Sequence, residues 1–374
     1  MKFCFFGSMS YGALRNPVAT WPVPNEQFDP EQALRARDAC FSDYELADEL
    51  GFDWVSLAEH HYSPNSLAPS INVLAAALSQ RVQRAKLAIL GPLLPLSNPV
   101  RVAEEIAMLD NLTDGRVIVA LLRGAPYEYL VYNVDPAQSR SRFEEAWDLI
   151  YRAWTDTQPF GWEGEHYSFR NVSIWPRPVQ QPAPPIIASG SSKDSGEFAA
   201  RKRTALGLAF TNLPLATEAA RFYRAKAEQF GWTPQPEDVL YRLNAYVAES
   251  DEKAFTDMSQ QSAGRGAAGV GAGIMNANRL VAASGFFGQR DANLTQRFQN
   301  LGEGAPHGLE DAVRLGTLLC GGPTSVIEQV ARLREEIGCG VIEVSFAAPM
   351  GSAEAKQQAM TLFAREVMPA LRNL

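Results

Sequence analysis

A chain of 374 residues, 46% hydrophobic and 20% charged, can bury a large core, and its formal charge of −8 (34 basic, 42 acidic) comes with no long basic run. That balance argues against a nucleic-acid or anionic-membrane surface and favours small-molecule chemistry. Cys4, Cys40, Cys320 and Cys339 are scattered, no metal-ligand spacing appears, and no run approaches the roughly 18 apolar residues of a membrane span, so a soluble protein of the reducing cytoplasm is expected.

In chain order, short apolar runs predict strands near 2–7, 53–58, 86–91, 116–121, 185–189, 206–210, 240–248 and 341–346, with amphipathic helical patterns between most of them. Eight such strands fit a TIM (β/α)8 barrel with insertions, read as one domain over 1–374. A doubly wound sheet alternates in the same way, but no Gly-x-Gly-x-x-Gly follows the first strand. Asn98 as N-cap and Pro99 at the first helical position open a helix that stops at Asp114-Gly115. Two insertions interrupt the alternation. Residues 159–184 read as a structural hairpin with an extended, proline-rich return. The Gly-rich stretch near 260–310 reads as a long loop, a lid over the barrel mouth or a disordered segment.

The residues able to carry chemistry cluster at predicted strand ends. Leu57-Ala58-Glu59-His60-His61-Tyr62 places two of the four histidines where strand two stops, as a catalytic group or as ordinary packing and surface residues. At the end of strand three, Leu90-Gly91 marks either a simple turn or a point where a flat ligand approaches the backbone. Arg123 after strand four and Arg140 at the next helix start suit a phosphate, or a salt bridge and a solvated helix start. Ser189-Gly190-Ser191-Ser192, with Ser195 beyond it, forms a strand–turn–helix anion site or a plain helix cap.

Taken together, Glu59-His60-His61-Tyr62, Asn98-Pro99-Val100-Arg101, Leu109-Asp110, Gly115-Arg116 and Arg123-Gly124 resemble, in order and spacing, the bacterial luciferase-like flavin-dependent monooxygenases. The likeness continues through Gly164-Glu165-His166-Tyr167, Arg177-Pro178-Val179-Gln180, Gly190-Ser191-Ser192, Gly322-Pro323-Thr324 and Val367-Met368-Pro369. The resemblance implies reduced FMN supplied by a separate NAD(P)H:flavin reductase, and O2 carried as a flavin C4a-peroxide to a small organic substrate such as an aldehyde or ketone. It also implies a homodimer, here expected through helices two and three. His60 matches the active-site histidine, with Glu59 and His61 as partners holding its ring. Leu90 and Gly91 match the pair beside the isoalloxazine, often joined by a non-prolyl cis peptide. Arg123, Arg140, Ser192 and Ser195 match the phosphate positions, and Tyr127, Ser189, Gly190 and Ser191 complete the expected cofactor set. Leu122 stands where the luciferases carry a cysteine, Asn133 replaces a frequent glycine, and 260–310 has no counterpart. Leu318–Pro323 and Gly338–Gly340 look closest to the ketone-oxidising, diketocamphane-type branch. Hydride transfer with a deazaflavin, or flavin binding without turnover, are the alternatives.

Overall fold

The computed structural model describes residues 1–12, 14, 21–209, 211–264, 270–281 and 306–374. Strands β1 (Lys2–Phe6), β2 (Trp54–Ala58), β3 (Lys86–Leu93) and β4 (Val117–Leu122) pair in sequence order, each parallel to the next. The antiparallel hairpin β5 (Phe160–Glu163) and β6 (Ser168–Val172) stands outside this sheet, which resumes with β7 (Ile186–Ser189) and β8 (Ala205–Leu208). After β9 (Val239–Val247) comes a short strand, β10 (Leu318–Gly321), and then β11 (Val341–Phe346), which pairs with both β9 and β1. The ring of eight parallel strands is thereby closed, and all eight fall where the periodicity predicts them. The extra strand β10 lies parallel to the second half of β9, from Asn244 to Val247. Four apolar residues behind a long insertion carry too little pattern to predict.

Alternation along each strand divides the interior in two. On β1, Phe3 and Phe5 point outward to Phe363 and Tyr44 beneath the helices, while Cys4 points into the barrel with Ala88, Ile118, Ala120, Ile187 and Leu240. The principal helices in chain order are α1 (Pro30–Glu49), α2 (Ile71–Ser79), α3 (Pro99–Leu112), α4 (Ser139–Thr155), α5 (Lys193–Lys202) and α6 (Leu213–Gln229). Asn98 caps α3 as expected, its Oδ1 accepting from the N–H groups of Val100 and Arg101. Val102, Ala103, Ile106, Ala107 and Leu109 then form its buried face.

The first insertion and parts of the second are regular. The hairpin is tied to α4 by Glu145, whose carboxylate accepts from Trp162 Nε1 and from the N–H groups of His166 and Tyr167. Within 260–310, which reads in the sequence as a long loop, a lid or a disordered segment, the described residues 260–264 and 270–281 form a helical part. Helices α7 (Asp251–Gly264) and α8 (Val270–Val281) occupy it, because alanines and apolar residues at helical spacing outweigh the glycines. Residues 282–305, with Phe286 and Phe287, lie outside the described residues.

Candidate active site

β2 ends at Ala58, and the chain then turns through Glu59-His60-His61 to Tyr62, which sits at φ +53°. The two histidines leave in different directions. His60 keeps 43% of its side chain exposed, and its Nδ1 lies 3.2 Å from Glu128 Oε1 and 3.4 Å from the Tyr127 hydroxyl. That hydroxyl donates to the same Glu128 oxygen at 3.3 Å, and Glu128 Oε2 accepts the Ala125 N–H at 2.7 Å. Glu128 is 1% exposed, and each of its oxygens has a hydrogen-bond partner inside the protein. Burial, reinforced by the adjacent Glu128 charge, pushes the Tyr127 phenol well above its ordinary value, so it serves as a donor and not as an acid.

His61 is packed instead. It is 3% exposed, its Nε2 lies 3.3 Å from Glu59 Oε1, and its ring meets Tyr132 edge-on. Its carbonyl accepts from Trp21 Nε1, and the Trp21 ring stands edge-on to Tyr127 at 4.9 Å. The expected role of Glu59 and His61 as holders of the His60 ring is therefore corrected. They pair with each other, and the ring is held by Glu128, 68 residues further along the chain. A βα turn brought alongside by barrel closure left no local signal for that pairing.

Leu90 faces the barrel interior, and Gly91 adopts φ +113°, where a Cβ would come within 3.4 Å of the Glu59 Cβ. The Leu90–Gly91 peptide is trans, contrary to expectation; the cis bonds among the described residues all precede proline. Positive φ at the glycine turns the chain at this point without a cis bond. Leu122 packs on the same interior cluster.

Of the predicted phosphate residues, Ser192 and Ser195 touch each other, and Arg140 reaches the same helix start. Ser192 caps α5, its Oγ accepting the Ser195 N–H at 3.1 Å and lying 2.9 Å from Ser195 Oγ. Gly190 sits at φ +140°, and a Cβ there would fall 2.5 Å from Ser195 Oγ, so the turn admits no side chain. Ser189 and Ser191 flank it. Arg140 Nη2 lies 3.2 Å from Asp194 Oδ2 in the first turn of α5, and Arg123 Nη1 donates to Ser139 Oγ, next to Arg140, at 3.4 Å. Two guanidinium groups, serine hydroxyls and a helix N-terminus suit a phosphate.

One further polar group went unseen in the sequence. Inside the barrel, Glu343 of β11 is 1% exposed, accepts from Ser56 Oγ at 2.6 Å and lies 3.6 Å from the Arg242 Nε of β9. The Cys4 thiol lies 3.6 Å from the same carboxylate, and the Arg242 guanidinium stacks 3.4 Å above the Phe6 ring. Among the described residues, no group of three or more His, Cys, Asp or Glu is placed to hold a metal ion.

The luciferase-like monooxygenase family matches residues 43–339. Among individual proteins, the oxygenase component of the flavin-dependent trigonelline monooxygenase of Acinetobacter baylyi is 29% identical over 217 residues, 56% of this chain and 59% of that one. The matched stretches span about half the length of the first curated relatives, 46% and 59%. The crystal structure of the monooxygenase RslO1 from Streptomyces bottropensis superimposes with a TM-score of 0.74 at 26% identity, covering 99% of each chain. The FMN-bound oxygenating constituent of 3,6-diketocamphane monooxygenase from Pseudomonas putida gives 0.71 at 20% identity, covering 96% of this chain and 99% of that one, a likeness of fold.

Proposed function

The chain belongs to the luciferase-like monooxygenase family, and from that premise we propose that it is the oxygenase of a two-component system, oxidising a small organic substrate such as an aldehyde or ketone with reduced FMN and O2. The observation that carries the reading is the convergence of His60, Tyr127 and Glu128 at the end of β2, on the strand-end rim that also bears the Arg123, Arg140, Ser192 and Ser195 cradle. Those four residues would hold the FMN phosphate, with Leu90 and Gly91 beside the ring system. Bound there, reduced FMN supplies the electrons for oxygen chemistry.

The remaining work falls to the chain. The Glu128 carboxylate only accepts, so it draws the proton of a neutral His60 to Nδ1 and leaves Nε2 as the basic atom. His60 would take a proton from the substrate through Nε2 and return it later, while Tyr127 keeps its own proton and helps fix Glu128. The apolar interior formed by Ala88, Ala120, Leu90 and Leu122 excludes water behind the rim.

A partner NAD(P)H:flavin reductase belongs to the same proposal, as do a cytoplasmic setting and a single domain with a cover over the mouth. Four unpaired, buried cysteines and the absence of any helix among the described residues long and apolar enough to cross a membrane support the setting. The docking of α8 on the Pro126–Leu130 turn supports the cover. Exposed Val73 on α2 with Met108 and Leu112 on α3 supports a homodimer through these helices.

The test is an anaerobic titration with reduced FMN, then admission of O2 in the presence of an aldehyde and ketone panel. Tight binding with O2-dependent product is expected. Reduction of a substrate without O2 would overturn the monooxygenase reading in favour of hydride transfer, and binding without turnover would favour a flavin carrier.

A further inference from the structure

The hydrogen bonds around His60 extend one step further, into the insertion after β9. Asn278 of α8 is 7% exposed, and its Oδ1 accepts the backbone N–H of Tyr127 at 3.0 Å, across 151 positions of sequence. That N–H lies in the first turn of the short Pro126–Leu130 helix, where no carbonyl of the same turn can reach it. The side chains of Tyr127 and of its neighbour Glu128 are the two groups in contact with His60 Nδ1.

The composition of α8 makes the contact informative. Among the residues of α8 whose burial is described, Ala277 and Val281 are buried beside Asn278, whereas Leu280 is exposed. An apolar residue at 278 would bury as readily but would take this partner from the Tyr127 N–H, so the buried amide is matched to that one donor. An asparagine there selects one register of α8 on the turn.

We propose that Asn278 is a positioning residue for His60: it docks α8 on the Pro126–Leu130 turn in a single register, and so fixes the phenol and carboxylate that hold the imidazole. This rests on the reading of His60 as the base. It gives the insertion a part in the chemistry without any contact with substrate.

The test is a double-mutant cycle with a second, activity-independent measurement. Asn278→Ala should lower kcat about 10-fold while FMN affinity stays within about twofold, and should change kcat less than about twofold when His60 is already alanine. Carbethoxylation of His60, followed by peptide mapping without flavin, should change at least about threefold in N278A. A kcat and a His60 modification rate both unchanged in N278A, or the same loss of kcat in both backgrounds, would overturn the proposal. Full turnover by His60→Ala would defeat the reading of His60 itself, and the modification rate of His60 would then decide the inference alone. Should N278A not fold, amide hydrogen exchange of the unsubstituted protein decides: slow exchange at Tyr127 supports the bond, and exchange as fast as in an open loop overturns it.

Discussion

Two glutamates, each 1% exposed, face different tasks: Glu128 at the rim and Glu343 inside the barrel. Glu128 holds a titratable histidine with 43% of its side chain open, and its own oxygens are filled by a backbone N–H and a phenol. Glu343 holds an arginine that is 17% exposed, together with a serine hydroxyl, across three strands of the closed ring. Burial lowers the Arg242 pKa, with the neighbouring Glu343 opposing the shift. The same chemical device thus prepares a reactive group where one partner meets solvent, and serves the architecture where both are enclosed.

Substitutions should separate the two. The largest effect is expected for His60→Ala, a loss of about 10²–10⁴-fold in coupled product formation with the thermal midpoint nearly unchanged. Retained turnover with an authentic substrate would erase the functional side of the contrast. Glu343→Ala should do the reverse, leaving Arg242 buried without its counter-charge and costing about 3–5 kcal/mol in urea unfolding. Glu128→Gln is expected to lie between, with kcat down about 10–100-fold and flavin binding preserved, because the amide keeps the shape and loses the charge. His61→Ala should cost about 1–2 kcal/mol of stability and leave kcat within about threefold; a larger loss of rate would blur the division between the neighbouring histidines.

A pH effect on stability should come from the buried thiols. Burial raises the thiols of Cys40, Cys320 and Cys339 from the ordinary 9.0 to about 12, and that of Cys4, beside Glu343, well above 9.0. A raised pKa in the folded state means the unfolded chain loses these protons first. Stability is therefore complete below pH 9 and falls between about 9 and 12, by roughly 1 kcal/mol for each thiol at pH 10. Unfolding midpoints measured from pH 8 to 10.5 should decline, and alkylation at pH 8 should need denaturant; rapid labelling of native protein would contradict the burial.

Much of the fold can be read from short stretches. Short apolar runs marked all eight barrel strands, Asn98-Pro99 marked the start of α3, and the Gly-Trp-Glu-Gly-Glu-His-Tyr segment marked the hairpin. The candidate site is partly legible in the same way, since His60 and the Ser192 cap lie where strands end or helices begin. What escaped was β10, the helices of the insertion, and the choice of partners. Glu128 carries nothing in Pro126-Tyr127-Glu128-Tyr129 that ties it to a histidine, and Arg242, Glu343 and Asn278 each look like surface residues of a strand or helix.

The sequence by itself determined the strands, their alternation, the caps and which side chains stand at strand ends, because those depend on residues within a few positions of one another. Only the tertiary structure decided that His60 meets Glu128, that His61 takes Glu59, that Arg242 meets Glu343 and that Asn278 reaches Tyr127. Apart from the His61–Glu59 contact, these pairings follow from closing the barrel in one register and docking the insertion on its rim, which a local pattern does not encode.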